Sequence, residues 1–421
     1  MGTQVTPQID ESGFVTSAGR RGLLFASLGT SYLGLFMTYA GLIVVLLPEQ
    51  VALLDPAKKV EDLAVVTSIS SVATIFVQPI VGALSDRTRS RLGRRAPWML
   101  FGALGGALCT VALQYAKTLF LLTVFWVLAQ VLLNAFQGPL SSIVSDRVEM
   151  QYRATASALI GVGSSVGGTL GVILAGQLLR QIGIGYDTFA AIVVAVCLAF
   201  VLFNPDRSSK HADFPKLNWG RFFRGFLVDP RKHPDFAWAF AGRFFMIFAY
   251  QAIGAYQLYI LTDYIHLPIA EAGGFLGLLN LIQMVAVGVS TLVFGRLSDH
   301  LQRRKMFVFA STLFIGVGAL IPVFEASKNG MLLSSTIIGL GYGAYMAVDM
   351  ALMIDVLPAR DDAAKDLGIL NIASNVPQAL TPVIVAALLS AFHGNYASIF
   401  VYSAIATVVS SVFVFPIRSV R

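Results

Sequence analysis

The sequence predicts an all-α polytopic membrane protein, with twelve transmembrane helices in two pseudo-symmetric six-helix bundles and both termini in the cytoplasm. Three observations support this fold class: the apolar content, the distribution of basic residues and a pair of repeated motifs. The chain has 421 residues and is 56% hydrophobic but only 13% charged, whereas soluble proteins average about 25% charged residues. A helical span needs about 20 mostly apolar residues, and such stretches fill most of the chain.

Twelve apolar stretches predict the helices. They cover residues 22–48, 62–84, 97–116, 118–145, 154–181, 187–204, 237–263, 271–295, 306–325, 330–356, 367–392 and 395–416. The longest polar segment separates six from six, which predicts a cytoplasmic tail at 1–21, a bundle at 22–204, a cytoplasmic linker at 205–236, a second bundle at 237–416 and a tail at 417–421. Aromatic and basic residues mix at 219–226, either as a short helix in the headgroup region or as an ordinary basic linker.

The basic residues predict the orientation. If Arg20 and Arg21, which precede the first span, are cytoplasmic, the loops alternate and all but five of the 30 Lys and Arg residues fall on the cytoplasmic side. The five exceptions are Lys58, Lys59, Lys117, Arg180 and Lys328. This asymmetry is typical of an integral, multi-pass protein of the cytoplasmic (plasma) membrane. The net charge of +7 lies in these loops, so we expect no nucleic acid partner.

Two polar features recur in both halves. GALSDRTRSRLGRR begins at Gly82, and GRLSDHLQRRK begins at Gly295, 213 residues later. Asp146 and Asp355, each near the end of a predicted helix, lie 209 residues apart. Because the two features recur after nearly the same number of residues, they indicate a duplicated six-helix unit. Transporters built from such repeats bind substrate near the midplane and work by alternating access.

The basic turn after the second span needs its own explanation. We expect Gly82 to let two helix ends approach closely, and Asp86 to pair with an arginine or to accept hydrogen bonds from a helix N-terminus. The arginines of the turn suit anionic lipid headgroups. If the turn served only to keep this loop in the cytoplasm, it would need the arginines but not Asp86.

The motif G-x-L-x-D-R-x-x-x-R-x-G-R-R resembles the signature loop of the major facilitator superfamily, and the resemblance extends over essentially the whole chain. The spelling SDRTRSRLGRRAPW is similar to that of the glycoside–pentoside–hexuronide cation symporters and the sucrose–proton symporters. The stretch at 342–382 resembles the sucrose-type bacterial members. The resemblance implies a cytoplasmic gate that holds the halves together in the outward-open state. Its residues would be Gly82, Asp86, Arg87, Arg91, Arg94, Arg95, Asp146, Arg153, Gly295, Asp299, Arg303 and Asp355.

Polar residues inside the spans predict a substrate cavity. Several lie on one helical face at spacings of three, four and seven residues. Their amide and phenol groups suit sugar hydroxyls, and their rings suit the apolar faces of a pyranose. Any one of them could instead hydrogen-bond between helices. The candidates are Tyr32, Tyr39, Asn134, Gln137, Tyr250, Gln251, Tyr256, Asn280, Gln283, Tyr342, Tyr345, Asn371, Asn375 and Gln378.

One acid and one base lie deep in predicted spans. Arg243 and Asp349 are each about six residues from the cytoplasmic end, so both should sit roughly 9 Å deep. A lone charge near the bilayer centre costs about 3 kcal/mol or more. We therefore predict an Arg243–Asp349 ion pair across the seventh and tenth helices. It either takes up the coupling proton or is a permanent structural bridge.

The remaining patterns narrow the function class. No histidine lies within a span, and the first six spans hold no acid away from their ends, which favours protons without a histidine relay over sodium. Neither a G-x-x-x-x-G-K-[ST] loop nor an H-E-x-x-H run occurs, so we expect neither an ATP-driven pump nor a metalloprotease.

We therefore predict a secondary active transporter for proton-coupled sugar uptake, a functional monomer among membrane lipids that is no enzyme and needs neither cofactor nor metal. The glycine-rich run at 161–171 predicts a close helix-packing face. It also partly resembles the antiporter signature of drug exporters, although Gly167-Gly168 replaces the Gly-Pro step. Drug efflux is the alternative.

Overall fold

The computed structural model describes residues 17–210, 234–301, 304–355 and 363–417, without the side chains of residues 299, 350–351 and 353–374. Within these ranges the chain is helical. The principal helices are α1 (Ala18–Leu54), α2 (Lys59–Ser85), α3 (Ala96–Leu113), α4 (Leu119–Arg147), α5 (Arg153–Gln177), α6 (Ile182–Phe203), α7 (Pro234–Gly254), α8 (Ile269–Leu301), α9 (Arg304–Phe324), α10 (Lys328–Asp355), α11 (Ala363–Ala391) and α12 (Ala397–Val412).

The helices match the predicted spans closely. In the described part of the chain, ten helices are long and apolar enough to cross a membrane, and α12 and residues 375–391 of α11 are shorter apolar helices. The total of twelve spans and the cytoplasmic termini remain predictions. The predicted short helix at 219–226 lies outside the described residues.

Two helices depart from regular α geometry. Within α1, residues Gly41–Leu46 form a π-helical segment. The seventh span was predicted to run to residue 263, but α7 ends at Gly254 and is followed by a short helix, Gln257–Tyr259, and a π-helical turn, Ile260–Tyr264. The helix ends at a glycine, which is a poor helix former. Two tyrosines of the following segment donate hydrogen bonds to backbone carbonyls, as described below.

The chain divides into two compact units. The first comprises residues 1–46 and 73–216, and the second comprises residues 47–72 and 217–421. The hairpin formed by the end of α1 and the start of α2 therefore groups with the second unit. Asp55 Oδ1 shapes the turn of this hairpin by accepting hydrogen bonds from the backbone nitrogens of Ala57 (3.1 Å) and Lys58 (3.2 Å).

The core of the first unit includes a glycine-mediated contact between α1 and α5. A Cβ atom at Gly167 would overlap the carbonyl oxygen of Leu33, and one at Gly171 would overlap that of Met37. The backbones of the two helices therefore approach more closely than any side chain would allow. This confirms the predicted helix-packing face in the glycine-rich run.

Serine and threonine side chains form hydrogen bonds between helices of the second unit. Ser403 and Ser410 on α12 donate hydrogen bonds to the Ala249 and Gly242 carbonyls of α7, at 2.8 and 2.7 Å. Thr291 on α8 donates to the Gly343 carbonyl of α10 at 3.1 Å. Each bond satisfies a hydroxyl group that would otherwise be unpaired in an apolar environment.

Candidate functional site

A buried ion pair lies between α7 and α10 in the second unit. Arg243 Nη1 is 2.5 Å from Asp349 Oδ2, and the two side chains are only 12% and 4% exposed. The second carboxylate oxygen, Oδ1, accepts a hydrogen bond of 2.7 Å from Tyr345 Oη, one helical turn earlier on α10. The structure confirms the predicted ion pair, and it adds Tyr345 as a second donor that the sequence analysis had assigned to substrate.

Two aromatic rings from the same helices stack on each other. The Tyr250 and Tyr342 ring centroids lie 4.0 Å apart with the planes inclined by 14°. From α8, Gln283 Nε2 donates to Tyr250 Oη at 3.3 Å. The predicted polar residues of α7, α8 and α10 thus make direct contacts, and together they offer phenol and amide groups beside an aromatic surface. We call Tyr250, Gln283, Tyr342, Tyr345, Asp349 and Arg243 the second-unit polar cluster.

Other predicted residues lie outside this cluster. Asn280 Nδ2 donates to Gln257 Oε1 at 3.3 Å, and the buried Tyr256 donates through Oη to the Pro382 carbonyl at 3.1 Å. Gln251 and Asn375 are half-buried, whereas Gln378 is exposed. The side chain of Asn371 lies outside the described residues.

The first unit has a polar group of its own. Gln78 Nε2 on α2 donates to Asn134 Oδ1 on α4 at 2.7 Å, and Asn134 Nδ2 donates to the Gln130 carbonyl at 2.8 Å. Gln78 was missed in the sequence analysis, although a glutamine inside an apolar run is itself a signal. Gln137 is half-buried on the same helix.

Several buried polar atoms in the first unit have no partner. Among the described residues, Tyr39 Oη, Ser31 Oγ and Gln130 Nε2 are buried without a hydrogen bond. Tyr32 stacks on Phe36 with centroids 6.1 Å apart. Unpaired buried donors and acceptors are costly, so these atoms provide hydrogen-bonding capacity for a bound molecule or for water.

The basic loop after α2 closes around one arginine. Arg95 contacts Asp86 Oδ1 at 2.5 Å, Asp146 Oδ2 at 2.8 Å and Ser85 Oγ at 2.5 Å, and its side chain is only 5% exposed. Arg94 reaches the other oxygen of Asp146 at 2.8 Å. The expected pairing of Asp86 with an arginine is thus confirmed.

The same loop corrects one expectation. A Cβ atom at Gly82 would meet no other atom within 4 Å, so the predicted close approach of two helix ends at Gly82 is wrong. The turn instead uses Gly93, whose φ of +85° is accessible to glycine without strain. Sequence reasoning missed Gly93, which stands in the run RLGRR.

The other predicted gate residues occupy separate positions. Arg87 donates to the Ala83 carbonyl at 2.9 Å, Arg153 donates to the carbonyls of Val148 and Ser145 at 3.1 and 3.0 Å, and Arg91 is exposed. Gly295 lies in α8, where its Cβ position has an ordinary contact of 3.7 Å to Ala347 Cβ. Arg303 and the side chains of Asp299 and Asp355 lie outside the described residues.

The start of the linker is bound to the basic loop. Ser209 donates its backbone N–H to the Ser90 carbonyl at 2.9 Å and its Oγ to the Thr88 carbonyl at 2.7 Å. Arg147, near the end of α4, donates to the Asn204 carbonyl at 3.0 Å. These contacts order the chain where it leaves α6.

A second ionic cluster lies in the second unit, at the start of α2. Lys59 Nζ is 2.8 Å from Asp263 Oδ1, and Tyr396 Oη donates to Asp263 Oδ2 at 2.8 Å. Lys59 also lies 4.8 Å from the ring centroid of Tyr259, whose Oη donates to the Pro48 carbonyl at 2.7 Å. These contacts bind the 47–72 hairpin to the segment after α7. Nowhere in the described part of the chain are three His, Cys, Asp or Glu side chains grouped to hold a metal ion.

Known proteins resemble this chain along most of its length. The family model described as Major Facilitator Superfamily matches residues 22–286 and 240–421. "MFS transporter asaE" of Aspergillus flavus is 24% identical over 358 residues, which are 81% of this chain and 74% of that protein. A solved structure of a bacterial homolog to the human lysosomal transporter Spinster, inward-facing and occupied, superposes with a TM-score of 0.73 at 16% identity and covers 95% of this chain and 97% of its own.

Two relatives with sugar-related names match shorter regions. The "General alpha-glucoside permease" of Schizosaccharomyces pombe is 33% identical over 119 residues, which are 24% of this chain and 22% of the permease. "Sucrose transport protein SUC4" of Arabidopsis thaliana is 31% identical over 117 residues, which are 23% of this chain and 22% of that protein. This chain therefore resembles less than a quarter of the length of either sugar relative.

Proposed function

Because the chain belongs to the Major Facilitator Superfamily, we propose that it is a secondary active transporter that takes up a sugar or glycoside together with protons by alternating access. The observation that carries the proposal is the second-unit polar cluster, which places a stacked tyrosine pair and a glutamine in the same unit as a buried ion pair. We propose that it works as a monomer in the cytoplasmic membrane, with twelve spans and both termini inside, as the distribution of basic residues favours.

The chemistry of the cluster supports a sugar as the substrate. The Tyr250–Tyr342 stack supplies an aromatic surface for the apolar face of a pyranose, and Gln283 supplies a donor and an acceptor for its hydroxyls. In the first unit, the unpartnered Tyr39 Oη and Gln130 Nε2 are hydrogen-bonding groups of the kind that bind sugar hydroxyls. The alpha-glucoside and sucrose relatives support the same substrate class.

The ion pair supports proton coupling. Asp349 is nearly inaccessible, and each of its two oxygens accepts a hydrogen bond from a protein donor. These two contacts stabilise the charged form of Asp349 while Arg243 is in place. If the pair opens during the transport cycle, a carboxylate without its partner in an apolar environment would bind a proton. Arg243 would then be free to pair again only after the proton is released, which would link proton movement to the conformational cycle.

The test uses the purified full chain in liposomes with an imposed pH gradient, acidic outside. Labelled α-glucosides and sucrose are compared with cationic drugs. We expect accumulation of a sugar against its gradient. Asp349→Asn should abolish this accumulation but leave sugar exchange between the two sides. Glu271→Gln, which changes an exposed acid in a surface pair, serves as the control and should behave like the wild type.

Two results would overturn the proposal. Accumulation that persists in Asp349→Asn would exclude Asp349 from coupling. Movement of cationic drugs in place of sugars would establish the alternative, proton-coupled efflux.

A further inference from the structure

A groove runs along the first unit between α3 and α6. It has a volume of about 600 Å³ and is lined from α3 by Leu104, Leu108 and Val111 and from α6 by Ala191, Ala195 and Leu198. Leu108 is 71% exposed, so the groove opens on the outer surface of the unit. Small residues on α6 face leucines on α3, which leaves a shallow, open groove where two larger side chains would have filled the space.

The length of the groove matches one leaflet of a bilayer. Asp187 and Leu198 mark its two ends on α6, and eleven residues of α-helix extend about 16 Å. The hydrocarbon core of a bilayer is about 30 Å thick. An acyl chain lying in the groove would therefore reach from the headgroup region to the middle of the membrane.

One end of the groove carries its only charged lining residue. Asp187 lies five residues after the start of α6 at Ile182, about 7 Å along the helix axis. Its Oδ1 accepts a hydrogen bond of 2.8 Å from the neutral amide of Gln114. Asp187 is exposed at the end of the span, and within the described ranges it has no salt bridge, so its carboxylate is open to a cationic group at the headgroup level.

We propose that this groove binds a phospholipid whose headgroup carries a primary ammonium, with one acyl chain between α3 and α6 and the ammonium on Asp187. The apolar lining matches the chain and the carboxylate matches the headgroup charge. A primary ammonium can also donate hydrogen bonds to the carboxylate, which the quaternary ammonium of a choline headgroup cannot do. The site is distinct from the second-unit polar cluster, so it does not depend on the proposed substrate.

The test counts lipids that stay bound to the full chain in native mass spectrometry after incubation with phosphatidylethanolamine or phosphatidylcholine of identical acyl chains. We expect the wild type to retain phosphatidylethanolamine about fivefold better, the preference that one partly exposed ion pair can provide. Asp187→Asn should reduce this ratio to about one. Ala195→Trp should fill the groove and reduce retention of both lipids. Glu271→Gln should keep the wild-type ratio.

Each variant must first match the wild type in thermal unfolding, and Ala191→Leu replaces Ala195→Trp if the tryptophan prevents folding. Equal retention of the two lipids by the wild type would overturn the headgroup assignment, as would a ratio unchanged in Asp187→Asn. A protein dimer that Ala195→Trp dissociates would overturn the proposal by making a second copy of the chain the occupant of the groove.

Discussion

Arg243 and Asp349 join α7 to α10 through a contact of 2.5 Å that water barely reaches. Tyr345 binds the remaining carboxylate oxygen at 2.7 Å, so both oxygens of the acid are satisfied by protein donors. A buried charge whose partner is removed is strongly destabilising, whereas replacing both partners by apolar residues is often neutral. Replacing both residues should therefore preserve the stability of the protein while removing the groups proposed for proton coupling, so the two roles can be measured separately.

Arg243→Met should lower the free energy of unfolding by about 3–5 kcal/mol, because it leaves the buried Asp349 carboxyl without its cation, so that Asp349 must either stay charged unpaired or bind a proton in the folded state. The double variant Arg243→Met/Asp349→Leu should recover most of this loss, since neither charge remains. Thermal and denaturant unfolding of the detergent-solubilised chain measure the difference. Both variants should lack uptake driven by a pH gradient. Equal stability of the single and double variants would show that water or another group compensates Asp349.

The stacked tyrosines lead to a prediction about substrate affinity. Tyr342→Ala removes one ring of a pair whose centroids lie 4.0 Å apart, and aromatic pairs contribute about 0.5–1.5 kcal/mol. We expect KM for sugar uptake to rise by up to about tenfold. Tyr342→Phe keeps the ring and should stay within about twofold of the wild type. Tyr402→Ala on α12 is the control, because this tyrosine is only half-buried and lies outside the polar cluster; a KM change of the same size there would refute the assignment.

The positions of the helices could be predicted because apolar runs and charged loops are local signals. The described helices begin and end within a few residues of the predicted limits in most cases, and depth along a helix was enough to pair Arg243 with Asp349. The end of α7 was missed because the apolar run continues beyond Gly254, whereas the regular helix ends at this residue.

Contacts between residues far apart in the sequence could not be predicted in this way. Lys59 was counted only as a charge in a loop, since nothing near it in the chain indicates Asp263, 204 residues away. Gln78 pairs with Asn134 because of the way α2 packs against α4. The apolar groove and the unpaired polar atoms also depend on tertiary packing, which cannot be predicted from the hydropathy of the sequence.

The Lys59–Asp263 ion pair should stabilise the fold more than an exposed ion pair with the same N···O distance. Both Lys59–Asp263 and Lys328–Glu271 have an N···O distance of 2.8 Å, but the side chains are 21% and 29% exposed in the first pair and 48% and 57% exposed in the second. Exposed pairs contribute about 0–1 kcal/mol, whereas hydrogen bonds to a charged group contribute about 1.5–3 kcal/mol, and Asp263 accepts one from Tyr396 as well.

Asp263→Ala should therefore lower the midpoint of thermal unfolding clearly, and Glu271→Ala should leave it nearly unchanged. Raising the salt concentration should weaken the exposed pair more than the half-buried one. Equal effects of the two substitutions on the midpoint would show that the contacts of the 47–72 hairpin do not depend on Asp263.

The crossing of α1 and α5 gives a prediction with a control on the same helix. A methyl group at Gly167 would overlap the Leu33 carbonyl, a backbone atom that can move only if α1 moves. Gly161→Ala places the same methyl group where no atom lies within 4 Å. Overpacking costs about 1–3 kcal/mol, whereas replacing a helical glycine by alanine where space allows stabilises by up to about 1 kcal/mol. Gly167→Ala should therefore unfold at a lower denaturant concentration than the wild type, and Gly161→Ala at the same or a higher one. If Gly167→Ala were as stable as Gly161→Ala, α1 and α5 would have to lie further apart than the structure places them.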